Sequence, residues 1–278
     1  VIDLDATAGM RVLFVGETIV DVYHYGRLLG RATKEPIIVL EQLSTEIFTG
    51  GVVAAANHAR SFCARVDTIS NRRVRKVRWL DTGHMRKLFE VYYEPQEMPQ
   101  GTLNMPIGDY DAVIVTDYGH GMIDSEMIGK LMSKARFLAV NVQTNAGNYG
   151  FSLATKYHDV DYLCMDELEA RLATHNQHDT IEESLKLLSR IAPKVVITLG
   201  GNGAIATGGL RAPAFTDRII DTMGAGDAFF AVTALFAKDS AMPELLRIGN
   251  AAAALKCQIL GHRAAVTKGD LIAYLETH

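Results

Sequence analysis

The stretch DTMGAGDAFF, Asp221 to Phe230, sets three small residues, Gly224, Ala225 and Gly226, directly before Asp227 and an apolar helical run. Glycine at a helix start weakens the helix unless the backbone must turn sharply or approach something closely. Small residues there leave backbone N–H groups uncovered. They do so where a helix has no internal acceptors for those groups and its dipole favours negative charge. Such a turn can hold an anion with backbone alone. Asp227 stands inside it, and a carboxylate beside a bound anion has some task other than attracting that anion. The plainer alternative is a capped helix with an acid in its first turn, and composition leaves both open.

The elements that must position this turn are strands alternating with helices. RVLFVG (Arg11 to Gly16), AVIVTD (Ala112 to Asp117), FLAVNV (Phe137 to Val142), DYLCMD (Asp161 to Asp166) and KVVITLG (Lys194 to Gly200) are short apolar runs. Runs of this kind suit strands buried on both faces of a parallel sheet. SEMIGKLMSKA, ELEARLA and IEESLKLLSRIA read as the intervening helices. The expected fold class is α/β, a doubly wound, mostly parallel sheet. EPIIVLEQLS and RKLFEVYYE partly alternate, as half-exposed antiparallel strands do, and predict a small β lid near residues 35–44 and 74–94. Residues 1–9 read as a tail or linker stub before one domain spanning 10–278.

Polar residues gather where these strands end. Glu17 and Asp21 follow the first, Asp117 ends the second, Asn141 lies late in the third, Asp166 ends the fourth, and Gly200, Gly201 and Gly203 follow the fifth. Ligands of open parallel sheets bind outside the carboxyl ends of the strands. A single strand-end aspartate can equally cap the next helix.

Composition narrows the function classes. The 278 residues are 48% hydrophobic and carry a net charge of −4, which argues against broad nucleic-acid binding. Three separated cysteines, Cys63, Cys164 and Cys257, read as free thiols of a reducing, cytoplasmic setting. No apolar run reaches membrane-spanning length, and the nine histidines show no metal spacing.

These residues carry a resemblance. DTMGAGDAFF is similar to the second signature of the PfkB (ribokinase-like) carbohydrate kinases. FTGGVVAAANHA resembles their sugar-site glycine pair, RVLFVGETIVDVYHYG their first strand and substrate aspartate, and ITLGGNGAI their nucleotide loop. VTDYGHG and GETIVDVYHYG resemble the heptose-phosphate kinase branch, and LAVNVQTNAGNYGFSLATKY a subgroup fused to a nucleotidyltransferase. The resemblance implies ATP-dependent phosphorylation of a sugar or sugar phosphate, with Asp227 as base and Gly224, Ala225 and Gly226 offering N–H groups to the moving phosphoryl. It implies sugar contacts from Asp21, Gly50, Gly51, Asn57 and Asp117. The ATP site would draw on Asn141, Thr198, Gly200, Gly203 and Asn250, and Mg²⁺ on Asp166 and Glu169. Asp221 and the backbone near Gly261 would hold a monovalent cation. A homodimer paired through lid strands is a further expectation.

Three departures stand out. Asp166 replaces the Asn of the family's Asn-x-x-Glu motif. The Asn expected soon after the glycine pair is absent, Asn57 coming late. CARVDTIS joins NRRVRKVRWL directly at Ser70–Asn71, where the family has a strand, a turn, a helix and another strand; omission of a stretch is favoured over its loss, since loss would expose a sheet edge. The basic run NRRVRKVRW reads as a solvated strand face, or as a positive lid over a phosphorylated sugar with Arg73 and Arg75 on one face and Lys76 and Arg78 on the other. Beside an active kinase, the alternative function is a kinase-like module that binds a sugar phosphate or nucleotide without turnover.

Overall fold

The computed structural model describes residues 3–84, 86–97, 106–215 and 218–278. Val1 and Ile2 of the expected tail and Met85 of the expected lid lie outside them. In chain order the strands are β1 (Arg11–Gly16), β2 (Thr18–Arg31), β3 (Ile38–Gly51), β4 (Arg65–Ile69), β5 (Arg72–Asp81), β6 (Arg86–Tyr92), β7 (Gln96–Glu97), β8 (Ala112–Asp117), β9 (Leu138–Val142), β10 (Tyr162–Asp166), β11 (Lys194–Thr198), β12 (Ala204–Ala206) and β13 (Leu210–Ala212). The helices are α1 (Val52–Ala59), α2 (Ser125–Lys134), α3 (Glu167–Thr174), α4 (Ile181–Leu188), α5 (Ala225–Phe236), α6 (Met242–Cys257) and α7 (Lys268–Thr277).

The main sheet runs β13-β12-β11-β10-β9-β8-β1-β4. Its pairs from β11 to β4 are parallel, while β12 and β13 join antiparallel. Side chains alternate across a strand, so residue parity sorts two cores. Val12, Phe14, Ile114 and Val196 pack with α1, α5 and α6 on one face. Leu13, Val15, Val113, Val115 and Ile197 pack with residues of α2, α3 and α4 on the other. α5 is buried from Ala228 to Phe236, which explains its unbroken apolar sequence and anchors its first turn at the carboxyl edge of the sheet.

A second sheet, β3-β2-β5-β6 with β7 on β5, forms the lid. The expected lid strands are present, the first running on to Gly51 and the second ending at Tyr92, and β2, unforeseen as a strand, is their centre. It pairs antiparallel with β3 and parallel with β5. β1 with β4, and β2 with β5, make two parallel pairs that cross together from main sheet to lid. Ser70 ties the crossing, its Oγ accepting the Thr18 N–H at 3.0 Å. Among the described residues β4 is the outer strand of the main sheet. Described residues of the expected tail pack on the domain: Leu4 is buried in the core and the Thr7 hydroxyl donates to the Phe62 carbonyl at 3.0 Å.

The loop after β11 depends on Gly203, whose φ is +85° and whose Cβ would stand 2.0 Å from the Ala212 carbonyl oxygen. Gly203→Ala is expected to lower stability by at least the roughly 1–3 kcal/mol of a strained backbone. Gly201→Ala, with open space around it, is expected to be near neutral. Chemical denaturation midpoints of the two variants check this.

Candidate active site

Gly224 caps α5 at φ 72°, a left-handed conformation that favours glycine. Of the opening N–H groups of the helix, that of Ala225, expected to meet the phosphoryl, instead donates to the Thr222 carbonyl at 3.2 Å, while those of Gly226 and Asp227 have no intrahelical acceptor. No atom lies within 4 Å of where a Gly226 Cβ would be, and Gly226 borders two cavities, one of about 450 Å³ and one of about 200 Å³. The turn is the partition between them.

The smaller cavity is lined by Asp21 from β2, Lys76 and Arg78 from β5, Asp227 from α5, and Gln143 and His262 from loops. Gly50 belongs here because a Cβ on it would sit 2.6 Å from Asp21 Oδ2 and 3.0 Å from His262 Nε2. Gly51, at φ 64°, caps α1 and also lines the cavity. Arg78 pairs through Nη1 with Asp21 and donates from Nε to Glu90 at 2.6 Å. Burial alone would raise the Asp21 pKa, but His262 and the Arg78 guanidinium hold it below the usual value. Lys76 is 7% exposed, and its ammonium lies 5.0 Å over the Tyr92 ring. Among the described residues it makes no hydrogen bond or ion pair. Burial lowers its pKa, with Asp21 pulling the other way. Nearby, His120 Nε2 is buried without a hydrogen-bond partner. Burial, then the charges of Lys76 and Arg72, push its pKa down to about 4, so the ring is neutral at neutral pH. The opposite faces of β5 expected from its alternation are present: Arg73 and Arg75 are exposed, Lys76 and Arg78 buried.

Asp227 is held from behind. The Tyr118 hydroxyl donates to its Oδ1 at 3.2 Å and Gln143 Nε2 donates to the same oxygen at 2.7 Å. Oδ2 is left to the cavity. Tyr118 is positioned by Glu17, which is wholly buried and accepts the N–H groups of Tyr118, His120 and Met122 at 3.1, 3.1 and 3.3 Å. Burial raises the Asp227 pKa, and His262, Tyr118 and Gln143 oppose that. Removing the hydroxyl in Tyr118→Phe therefore lets the Asp227 pKa rise further. The acid limb of a rate profile is expected to move to higher pH, with turnover at neutral pH down a few-fold to about tenfold, the scale of a hydrogen bond to a charged group. The pH profile of kcat checks the shift.

Three of the anticipated ligand residues stand elsewhere. Asp117 is 1% exposed and faces away from the cavity: its carboxylate takes the Tyr157 hydroxyl at 2.8 Å, the Gly119 N–H at 3.1 Å and the Lys156 ammonium. Asn57 is exposed on the outer face of α1, where its Oδ1 accepts from Arg60 Nε at 2.9 Å; the inward neighbour is His58, on the Val266 N–H. Asn141 is interior, its Nδ2 donating to the Cys164 carbonyl at 2.9 Å, and it lines neither cavity.

The larger cleft does gather Thr198, Gly200, Gly203, Asn250 and Asp166, with Phe215 as an aromatic wall. Asn250 donates to the Pro213 carbonyl at 3.0 Å, fixing that wall. Asp166 and Glu169 form a capping box on α3, each side chain accepting the other's backbone N–H at 2.8 Å. Glu169 also accepts the Thr144 N–H at 2.9 Å. Burial, then Asp166, raise the Glu169 pKa. Among the described residues no group of three His, Cys, Asp or Glu side chains could cage a metal, and no helix is long and apolar enough to cross a membrane.

Reasoning from sequence missed Tyr118, Gln143, His262 and Lys256. The first two had a usable signal, since each follows the last residue of a parallel strand. Lys256 had another: it is a lone charge at the end of the apolar run AAAAL. His262 had none.

Residues 131–268 match the family model described as pfkB family carbohydrate kinase. The bifunctional protein HldE of Helicobacter pylori (strain Shi470) is 23% identical over 313 residues, covering 96% of this chain and 67% of that protein. The chain thus spans about two thirds of that relative's length. The alignment is longer than the chain's 278 residues, so HldE carries residues within the aligned stretch that have no counterpart here. Among solved structures, ribokinase from Thermotoga maritima (16% identical) and phosphofructokinase-2 from Escherichia coli in complex with potassium (14%) each superpose with a TM-score of 0.74, covering 96% of this chain and 99% of theirs. The fold is shared with these kinases, the sequence match agrees with it, and the chain carries a pfkB family carbohydrate kinase domain.

Proposed function

We propose that this sugar kinase uses ATP to phosphorylate a hydroxyl of a sugar that already carries a phosphate, a heptose phosphate or a close analogue. The observation that carries this reading is the Gly226–Asp227 turn on the seam of two cavities, with the unpaired Lys76 ammonium in the smaller one. ATP occupies the larger cleft and the acceptor sugar the smaller. Asp227 Oδ2 takes the proton of the acceptor hydroxyl. The hydroxyl oxygen forms the new bond to the γ-phosphorus while the bond from that phosphorus to the β–γ bridging oxygen breaks, and ADP leaves with the electron pair. N–H groups of the opening turn of α5 meet the charge on the moving phosphoryl, so the work is positioning and electrostatics. The acceptor's own phosphate pairs with Lys76.

Mg²⁺ keeps several waters and takes few protein carboxylates when it rides on phosphates. Asp166 alone of the expected pair lines the cleft, Glu169 being buried behind it as its capping partner, and a single carboxylate with no closed cage fits that mode. Bound there, Mg²⁺ would neutralise phosphate charge. The bifunctional relative supports a second functional unit in the whole protein, which the resemblance to a nucleotidyltransferase-fused subgroup implies. Exposed Ile38, Leu43, Ile47 and Phe89 on the lid support pairing of two copies through it.

A crystal soaked with a non-hydrolysable ATP analogue, Mg²⁺ and heptose or hexose phosphates tests the reading. The expected density has the γ-phosphate at the start of α5 and one sugar hydroxyl within hydrogen-bond reach of Asp227. A nucleotide base seated in the smaller cavity would contradict it.

A further inference from the structure

The resemblance put a monovalent cation between Asp221 and the backbone near Gly261. An ammonium stands there. Lys256, near the end of α6, is 0% exposed, and its Nζ donates to the carbonyl oxygens of Met223 at 2.7 Å, Gly261 at 2.8 Å and Ile259 at 3.3 Å. An ammonium has three hydrogens, and here each has a carbonyl. Asp221 completes the arrangement from the other side: its Oδ1 accepts the Met223 N–H at 3.1 Å and its Oδ2 the Gly261 N–H at 3.0 Å. Lys87 Nζ lies 3.6 Å from the same Oδ1.

Two loops are thereby clamped by one carboxylate and one ammonium. The first, at Met223, leads straight into Gly224, where an added Cβ would come within 3.3 Å of Lys256 Cε. The second, at Gly261, leads into His262, which lines the acceptor cavity. Converging carbonyls beside a carboxylate are the donor set a bare alkali cation would use. Here those oxygens are spent on Nζ, and a second positive charge among them would face both Lys256 and Lys87. The residues present do not fit an added cation.

We propose that the Lys256 ammonium is this protein's built-in cation, standing where a monovalent ion would otherwise join the two loops, so that the protein needs no such ion. Lys256 is a positioning residue: it touches no reacting atom and acts through the Met223–Gly224 peptide and the Gly261–His262 loop. The geometry is independent of which sugar is phosphorylated, and the test avoids turnover, so it can fail while the kinase reading stands, and the reverse.

Melting temperatures are measured in potassium chloride and in tetramethylammonium chloride at equal ionic strength, for the parent and for Lys256→Ala. The parent is expected to melt at the same temperature in both series. Lys256→Ala leaves three buried carbonyls without their partner and removes a positive charge near Asp221. It is expected to melt several degrees lower in tetramethylammonium and to regain part of that saturably in potassium, since an ion that binds only the folded state stabilises it by mass action. Parent crystals soaked in thallium(I), a heavy stand-in for potassium, are expected to give no anomalous peak among the Met223, Ile259 and Gly261 carbonyls. That peak, a saturable potassium effect on the parent, or a folded Lys256→Ala as indifferent to potassium as the parent would each overturn the proposal. The parent measurements decide it even where the variant does not fold.

Discussion

Asp227→Asn is expected to cut turnover by roughly 10²–10⁴-fold, the usual contribution of a positioned general base, while the apparent affinity for ATP barely changes. The reason lies in how the two oxygens are used. Tyr118 and Gln143 both donate to Oδ1, and an amide oxygen can accept both bonds. The group then presented to the cavity is an NH₂, which cannot take a proton. In the proposed reading the nucleotide lies in the opposite cleft, among groups the substitution does not touch. Burial sets the parent's Asp227 pKa above the ordinary value, so its activity should rise with pH through that pKa; the Asn variant should lose this limb. Steady-state kinetics on folded variant protein read both effects. Turnover within a factor of about three of the parent would remove Asp227 from the role of base.

Lys76→Met should weaken kcat/KM for a phosphate-bearing acceptor by about 10- to 100-fold, the scale of a hydrogen bond to a charged group in a dry site. The same variant should leave the reaction with an unphosphorylated sugar nearly unchanged. Stability should move the other way. A buried ammonium with no ion-pair partner is costly, and methionine replaces its stem with apolar volume, so the variant should melt at or above the parent temperature. Activity down with stability up marks a group retained for a ligand. Equal loss on phosphorylated and unphosphorylated acceptors, or a lower melting point, would make Lys76 structural.

What could be read from the chain divides by the range of the interactions involved. The five runs of the parallel sheet were legible because each is apolar through both faces, and burial on both sides writes itself into five or six consecutive residues. The lid was legible only in part. β2 carries Asp21, His24 and Gly26 among its apolar residues, and its pairing with β5 joins residues 55 positions apart, as Thr18 with Arg73, which local alternation does not register. At the site, the Gly-Ala-Gly-Asp turn was legible since its chemistry is local backbone. Asp117 misled because a strand-end carboxylate looks alike whether it faces a ligand or, as here, Lys156 and Tyr157. Asn57 misled by one helical position, its neighbour His58 pointing inward. The hydrogen bonds of Tyr118 and Gln143 on Asp227 span 109 and 84 residues, and only the closed fold brings them together.

The most direct test of the whole account is ADP formation by the purified protein with Mg²⁺ and ATP, measured across a panel of heptose and hexose phosphates and the matching unphosphorylated sugars, with the phosphorylated product identified by mass. The account predicts sugar-dependent turnover that prefers a phosphorylated acceptor and adds one phosphate to it. Tight binding of such an acceptor and of ATP with no product formed would contradict it, and would leave the chain a binding module.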